Sequence, residues 1–185
     1  RLATPYLYAA IGEMFGQRSG VLNLGVEGAM LMGAFAAYYA VFLGNDPWLG
    51  VLAALVVGAL MGLLMAVISV TMQAEQGISG IGLSLFGLGL SSLLLKVLVG
   101  SPISIQGFPV WQIPGLSQLP IIGPIFFDHD VLVYVAYLLV PISLYVLYRT
   151  TFGLKVRAVG QNPEAADSLG VRVNVAEVDA AGLPE

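Results

Sequence analysis

An amide and a carboxylate, Asn23 and Glu27, stand at the mouth of an apolar run in RSGVLNLGVEGAMLMGAF, residues 18–35. Four residues apart, they share one face if the run is helical. A charge at membrane depth is costly and turns toward a bundle interior or a cavity. The pair therefore reads in two ways: as a polar contact or gate inside a helix bundle, or as a helix end that still lies in the interface. A second group of polar side chains, Gln76, Ser79 and Ser84, lies in QGISGIGLSLFGLGLSS, residues 76–92, and suits the wall of a polar path. A third set is Asp128, His129 and Asp130, the first holding the chain's single histidine within reach of two acids. These are metal-ligating types, but adjacent residues with no fourth ligand read more readily as a solvated turn.

Other chemistries lack their residues. No GxxxxGK[ST] phosphate loop, GxSxG elbow or HExxH pair is present. Zero cysteines removes disulfides, thiolate-bound zinc and thiol catalysis. No basic run suggests nucleic acid. Neither a catalytic constellation nor a metal site emerges.

The elements that must position these residues are membrane helices. The chain of 185 residues is 58% hydrophobic and 10% charged, against about 25% charged in soluble domains, and its mean hydropathy is +0.90. The composition predicts an all-α, polytopic transmembrane bundle. Four stretches reach the roughly 20 apolar residues of a span: 21–43, 48–70, 77–99 and 131–148. Residues 1–11 read as the end of an earlier span, no signal peptide is visible, and the chain reads as a fragment cut at both ends. Arg149, Lys155, Arg157 and Arg172 follow the fourth span, which places that side in the cytoplasm by the positive-inside rule. The loop with Arg18 and the turn 71–76 then also lie inside. The turn 44–47 and the segment 100–130, which has no Lys or Arg, lie outside. That proline-rich outer segment, with Trp111 and Phe126-Phe127, reads as a structured cap or a docking surface.

Glycine patterns qualify the spans. Gly58 and Gly62 make a GxxxG pair, which serves helix packing within the subunit or, as the second reading, a dimer contact. Gly77, Gly80, Gly82, Gly87 and Gly89 crowd one span, so that span is central, either tightly packed or broken along a cavity. Tyr134, Tyr137, Pro141, Tyr145 and Tyr148 follow three- and four-residue steps, which reads as a packed stripe ending in interfacial rings or, as the second reading, as a surface for stacking a planar solute. In the loop 149–172, Asn162 caps a short helix from Pro163 to Leu169, and Gly170 suits its C-terminal end. Such a helix reads as a handle for a cytosolic partner or as a structured loop without one.

RSGVLNLGVEGAMLMGAF, followed in order by EQGISGIGLS (75–84) and GLKVRAVGQNPEAADSLGV (153–171), resembles the permease subunits of bacterial ABC importers for branched-chain amino acids, simple sugars and nucleosides. The likeness runs from Leu2 to about Val173 and is strongest to nucleoside permeases. It implies a multi-pass protein of the bacterial plasma membrane that pairs with a second permease subunit, identical or related. It also implies two cytosolic ATPase subunits below, a solute-binding lipoprotein above, and no enzyme activity or cofactor in this chain. The coupling helix of such importers maps to residues 160–170, with Gly160, Asn162, Pro163, Glu164, Ala165, Ala166 and Gly170 as its contact residues. The same resemblance favours Asn23, Glu27, Gln76 and Ser79 as translocation core or gate. Nucleoside is the first solute it suggests, then sugar, then branched-chain amino acid. The tail 174–185 is polar where the family has another span. A secondary transporter or channel is the competing class; it needs ion-coupling acids within spans, and Glu27 alone qualifies.

Overall fold

In the computed structural model, which describes residues 3–72, 74–101, 104–105, 107–112 and 128–168, the architecture is helical. The helices are α1 (Thr4–Arg18), α2 (Val26–Gly44), α3 (Pro47–Ala66), α4 (Gln76–Leu94), α5 (Val131–Arg149), α6 (Thr151–Gln161) and α7 (Pro163–Ser168). A π-helical turn extends α3 over Val67–Thr71 and another extends α4 over Leu95–Val99. Four helices are long and apolar enough to cross a membrane: Val26–Gly44, Pro47–Ser69, Gln76–Val99 and Val131–Arg149. At 1.5 Å per residue, 19 residues reach about 28 Å, near the thickness of a hydrocarbon core.

Local chemistry sets the ends of these helices. Asn45 takes the left-handed conformation after α2 (φ 51°), and the Asp46 carboxylate accepts the Trp48 N–H at 3.0 Å, with Pro47 at the first helical position. The reversal between α2 and α3 is therefore complete in two residues. Glu75 caps α4 by accepting the N–H groups of Gly77 and Ile78 at 3.1 and 3.0 Å. In the outer segment Val110–Gln112 (β1) pairs antiparallel with Asp128–Asp130 (β2), Trp111 standing opposite His129. The expected solvated turn at Asp128–Asp130 is thus a short strand. Among the described residues no group of three His, Cys, Asp or Glu is placed to hold a metal.

Two packing groups result. In the first, α2 lies against both α3 and α4, and Met61, Met65 and Leu83 form its buried centre. In the second, α1 and α5 run in the same direction and are tied at both ends. The Tyr8 hydroxyl donates to the Leu132 carbonyl at 2.6 Å, and Arg18 Nη2 donates to the Tyr148 hydroxyl at 3.1 Å. Helix α6 folds back on the end of α5, where Gly153 lies directly against the carbonyls of Val146 and Leu147.

The two glycine-rich spans differ. A Cβ on Gly87 would sit 2.6 Å from the Gly28 Cα, and one on Gly28 would sit 2.7 Å from the Ser84 Cα. Helix α4 is continuous through its glycines, so the broken-helix reading does not hold; the tightly packed reading holds at Gly80 and Gly87, while a Cβ on Gly82 or Gly89 would meet nothing within 4 Å. A Cβ on Gly58 or Gly62 would meet nothing within 4 Å. The GxxxG pair therefore makes no helix contact among the described residues, contrary to the first expectation for it.

Three boundaries also differ from expectation. The segment preceding the first full span is a helix to Arg18, not to residue 11. That span begins at Val26, not Val21. The loop 149–172 contains an unexpected helix, α6, whose N-cap Thr150 accepts the Gly153 N–H at 3.2 Å. Leu169, Gly170, Arg172 and the tail 174–185 lie outside the described residues.

Candidate functional site

The stretch from Ser19 to Gly25 is a turn, and its own residues make it one. Gly20 adopts φ 93° after α1; its N–H bonds to the Gln17 carbonyl, and the Val21 N–H bonds to the Gly16 carbonyl at 3.1 Å. This pair of bonds is the Schellman ending, which favours glycine because the left-handed region carries no Cβ penalty there. Asn23 then closes an Asx turn, its Oδ1 accepting the Gly25 N–H at 2.8 Å. The amide thereby offers the backbone an alternative to helix, which is why α2 starts late.

Side chains from two helices stitch this turn in place. Glu13 of α1 accepts the Asn23 N–H at 3.1 Å and the Gln17 Nε2 at 3.2 Å. Gln76 of α4 accepts the Leu22 N–H at 2.9 Å, and the Ser84 hydroxyl donates to the Leu24 carbonyl at 2.9 Å. Gly80, between them on α4, lets that helix approach so closely that a Cβ there would lie 2.9 Å from the Leu24 N. Non-helical backbone at the edge of a bundle must place its polar groups on partners, and here the partners come from α1 and α4.

This geometry changes the expected pairing of Asn23 and Glu27. They do not share a helical face, because Asn23 lies in the turn and Glu27 in the first turn of α2. Asn23 and Gln76 are brought to the same turn. Glu27 is exposed, at the helix end where the backbone dipole favours a carboxylate. Ser79 is half-buried on α4. Glu13 was not singled out from the sequence. Its signal is an acid four residues before Gln17 in an otherwise apolar helix.

The same turn touches the α6–α7 region. Gly160, next to the last residue of α6, lies against the Arg18 carbonyl, and a Cβ there would also sit 3.0 Å from the Gly20 N. Asn162 ends α6 and starts α7, its Oδ1 accepting the Ala165 N–H at 3.0 Å. This is the expected cap. Ala166 is buried against Val159 and Ala158 of α6, while Glu164 and Ala165 are exposed. Of the two alanines, only Ala165 is open to a partner in this chain's structure. The arrangement holds no nucleophile with a base. Its contacts are backbone packing and hydrogen bonds.

The family described as "Branched-chain amino acid transport system / permease component" matches residues 1–182. The chain belongs to this family. The permease is 37% identical over 181 residues to a guanosine ABC transporter permease protein (NupQ) of Bacillus subtilis, which covers 92% of this chain and 57% of the relative. It is 38% identical over 180 residues to a nucleoside ABC transporter permease protein (NupC) of Lactococcus lactis, with the same two coverages. A putative glucose ABC transporter permease protein of Haloferax volcanii is also 38% identical, over 175 residues, covering 92% of the chain and 53% of that relative. The chain thus spans little more than half the length of the curated relatives it matches. No solved structure matches it. With its four apolar helices, the permease is a multi-pass membrane protein.

Proposed function

We propose that this permease forms part of the solute pathway of an ATP-driven importer in a bacterial plasma membrane, and that the solute is a nucleoside. ATP is hydrolysed on separate cytosolic subunits, a second permease subunit completes the pathway, and an extracytoplasmic binding lipoprotein delivers the solute. Sugar is the second choice of solute and branched-chain amino acid the third. The names of the two bacterial relatives support the first choice.

The observation that carries the mechanism is the double attachment of the Arg18–Gly25 turn. On one side Gly160 lies against Arg18 and Gly20. On the other, Gln76 and Ser84 hold Leu22 and Leu24. A push on exposed Glu164 and Ala165 of α7 by an ATPase subunit travels through α6 to this turn, and from it to the start of α4. Asn23 and Glu13 keep the turn rigid enough to transmit it, and Glu27, with Gln76 and Ser79, borders the moving part.

The test uses full-length permease with its cognate ATPase and binding lipoprotein in proteoliposomes, and radiolabelled guanosine. Gln76→Ala with Ser84→Ala removes two hydrogen bonds of about 1 kcal/mol each; ATPase binding is retained and ATP-dependent uptake falls about 10-fold. Wild-type uptake by that double variant sinks the mechanism. Glu164→Arg is expected to abolish co-purification of the ATPase. Uptake that follows an ion gradient and ignores ATP would overturn the importer assignment itself.

A further inference from the structure

Two guanidinium groups from distant parts of the chain converge on one ring at the basic end of the bundle. Arg18, in the last turn of α1, has its Cζ 5.9 Å from the centroid of Tyr148 and donates to the Tyr148 hydroxyl at 3.1 Å. Arg157, in the middle of α6, has its Cζ 5.0 Å from the same centroid, and its Nε donates to the Gly153 carbonyl at 3.3 Å. That bond fixes the plane of Arg157 and leaves its terminal Nη groups without a partner among the described residues. No carboxylate among them pairs with either arginine. One ring quadrupole is weak compensation for two full charges, so the cluster is held together by the fold with no anion against it among the described residues.

The surroundings say what kind of anion. Tyr148 is the next-to-last residue of a membrane-crossing helix and is 47% exposed, the usual depth of an interfacial aromatic. Phe152 and Leu154 flank buried Gly153 in the first turn of α6 and are 59% and 60% exposed. Large apolar side chains, a phenol and guanidiniums side by side suit the boundary between acyl chains and headgroups. Guanidiniums read phosphate through paired N–H donors. We propose that Arg18 and Arg157, set by Tyr148, form a site for the phosphate of an anionic phospholipid headgroup. The lipid bridges α1 and α6, the two helices that meet at Gly160.

The test uses the full-length permease in nanodiscs of phosphatidylcholine with increasing phosphatidylglycerol, with retained phosphatidylglycerol counted by native mass spectrometry. Each guanidinium removed takes charge-assisted hydrogen bonds from the phosphate, so Arg18→Gln with Arg157→Gln is expected to weaken phosphatidylglycerol retention about 100-fold. Arg149→Gln, one residue beyond the ring, is expected to change it less than about 2-fold. Equal loss in Arg149→Gln would overturn the site in favour of general surface charge. Should the double variant fold poorly, Arg157→Lys keeps the charge and loses the fork. It is expected to retain phosphatidylglycerol less well than the parent, and unchanged retention would overturn the site. Inorganic phosphate at millimolar concentration should not displace the lipid; displacement would assign the site to a soluble phosphate. Loss of ATPase co-purification with unchanged lipid retention would assign it to the protein interface.

Discussion

Helices α3 and α4 are both apolar spans punctuated by glycine, yet the glycines at their centres meet different surroundings. On α4, Gly80 and Gly87 face the backbone of the α1–α2 turn and of α2, at distances no side chain could fill. On α3, Gly50 near the start is buried against Val41 and the Ala37 carbonyl of α2, but Gly58 and Gly62 face open space, and their helix also exposes Leu55, Leu60 and Leu63. Glycine lets backbones approach, but the spacing does not say which backbone. In α4 the approach is consummated within the chain and holds the polar turn in register. At Gly58 and Gly62 the α3 surface is left for lipid or for another protein segment.

The comparison can be broken most directly at α4. Gly87→Leu places a branched side chain against the Gly28 backbone, which cannot move aside as a flexible side chain would. The expected cost is about 3 kcal/mol or more, read as loss of the monodisperse peak of full-length permease in size-exclusion chromatography. A normal peak would mean that α2 and α4 do not meet as described. The next largest effect belongs to Gly160→Val, which meets the Arg18 carbonyl. About 2 kcal/mol of destabilisation is expected, read by thermal unfolding in detergent, and a lower ratio of uptake to ATP hydrolysis accompanies it.

Smaller effects sharpen the contrast. Ser84→Ala removes one hydrogen bond to the Leu24 carbonyl, with an expected loss of about 1 kcal/mol in the same unfolding measurement. Gly58→Ala and Gly62→Ala meet nothing and relieve the glycine penalty in a helix. Each is expected to leave the isolated permease unchanged or stabilise it by up to about 1 kcal/mol. If either instead weakens assembly of the complete transporter, the α3 face is a protein interface; if neither does, it faces lipid.

Legibility followed the range of the interactions. The cap at Asn162 is legible in the sequence, because a side chain and a backbone group three residues apart decide it. The short helix at Pro163 was read from the same kind of signal. Helix α6 was missed because the sequence after Arg149 looks like a basic connector, and its helicity depends on Gly153 seating against α5. Spacing alone puts Asn23 and Glu27 on one helical face. The left-handed Gly20 and the Asx turn at Asn23 end that register before the helix begins. Glu13, Gln76 and Ser84 lie 10, 54 and 60 residues from their backbone partners, and no local pattern couples them.

The sequence by itself determined that this protein lives in a membrane, where its spans fall to within a few residues, and which permease family its motifs resemble. Those follow from composition, from the length of apolar runs and from short ordered motifs, which are properties of neighbours along the chain. Only the tertiary structure decided which glycines are filled by backbone and which are open, and that the polar stretch after Arg18 is a turn stitched between α1, α4 and α6. The physical reason is that polar backbone outside a helix must find partners, and the chain supplies them from helices distant in sequence.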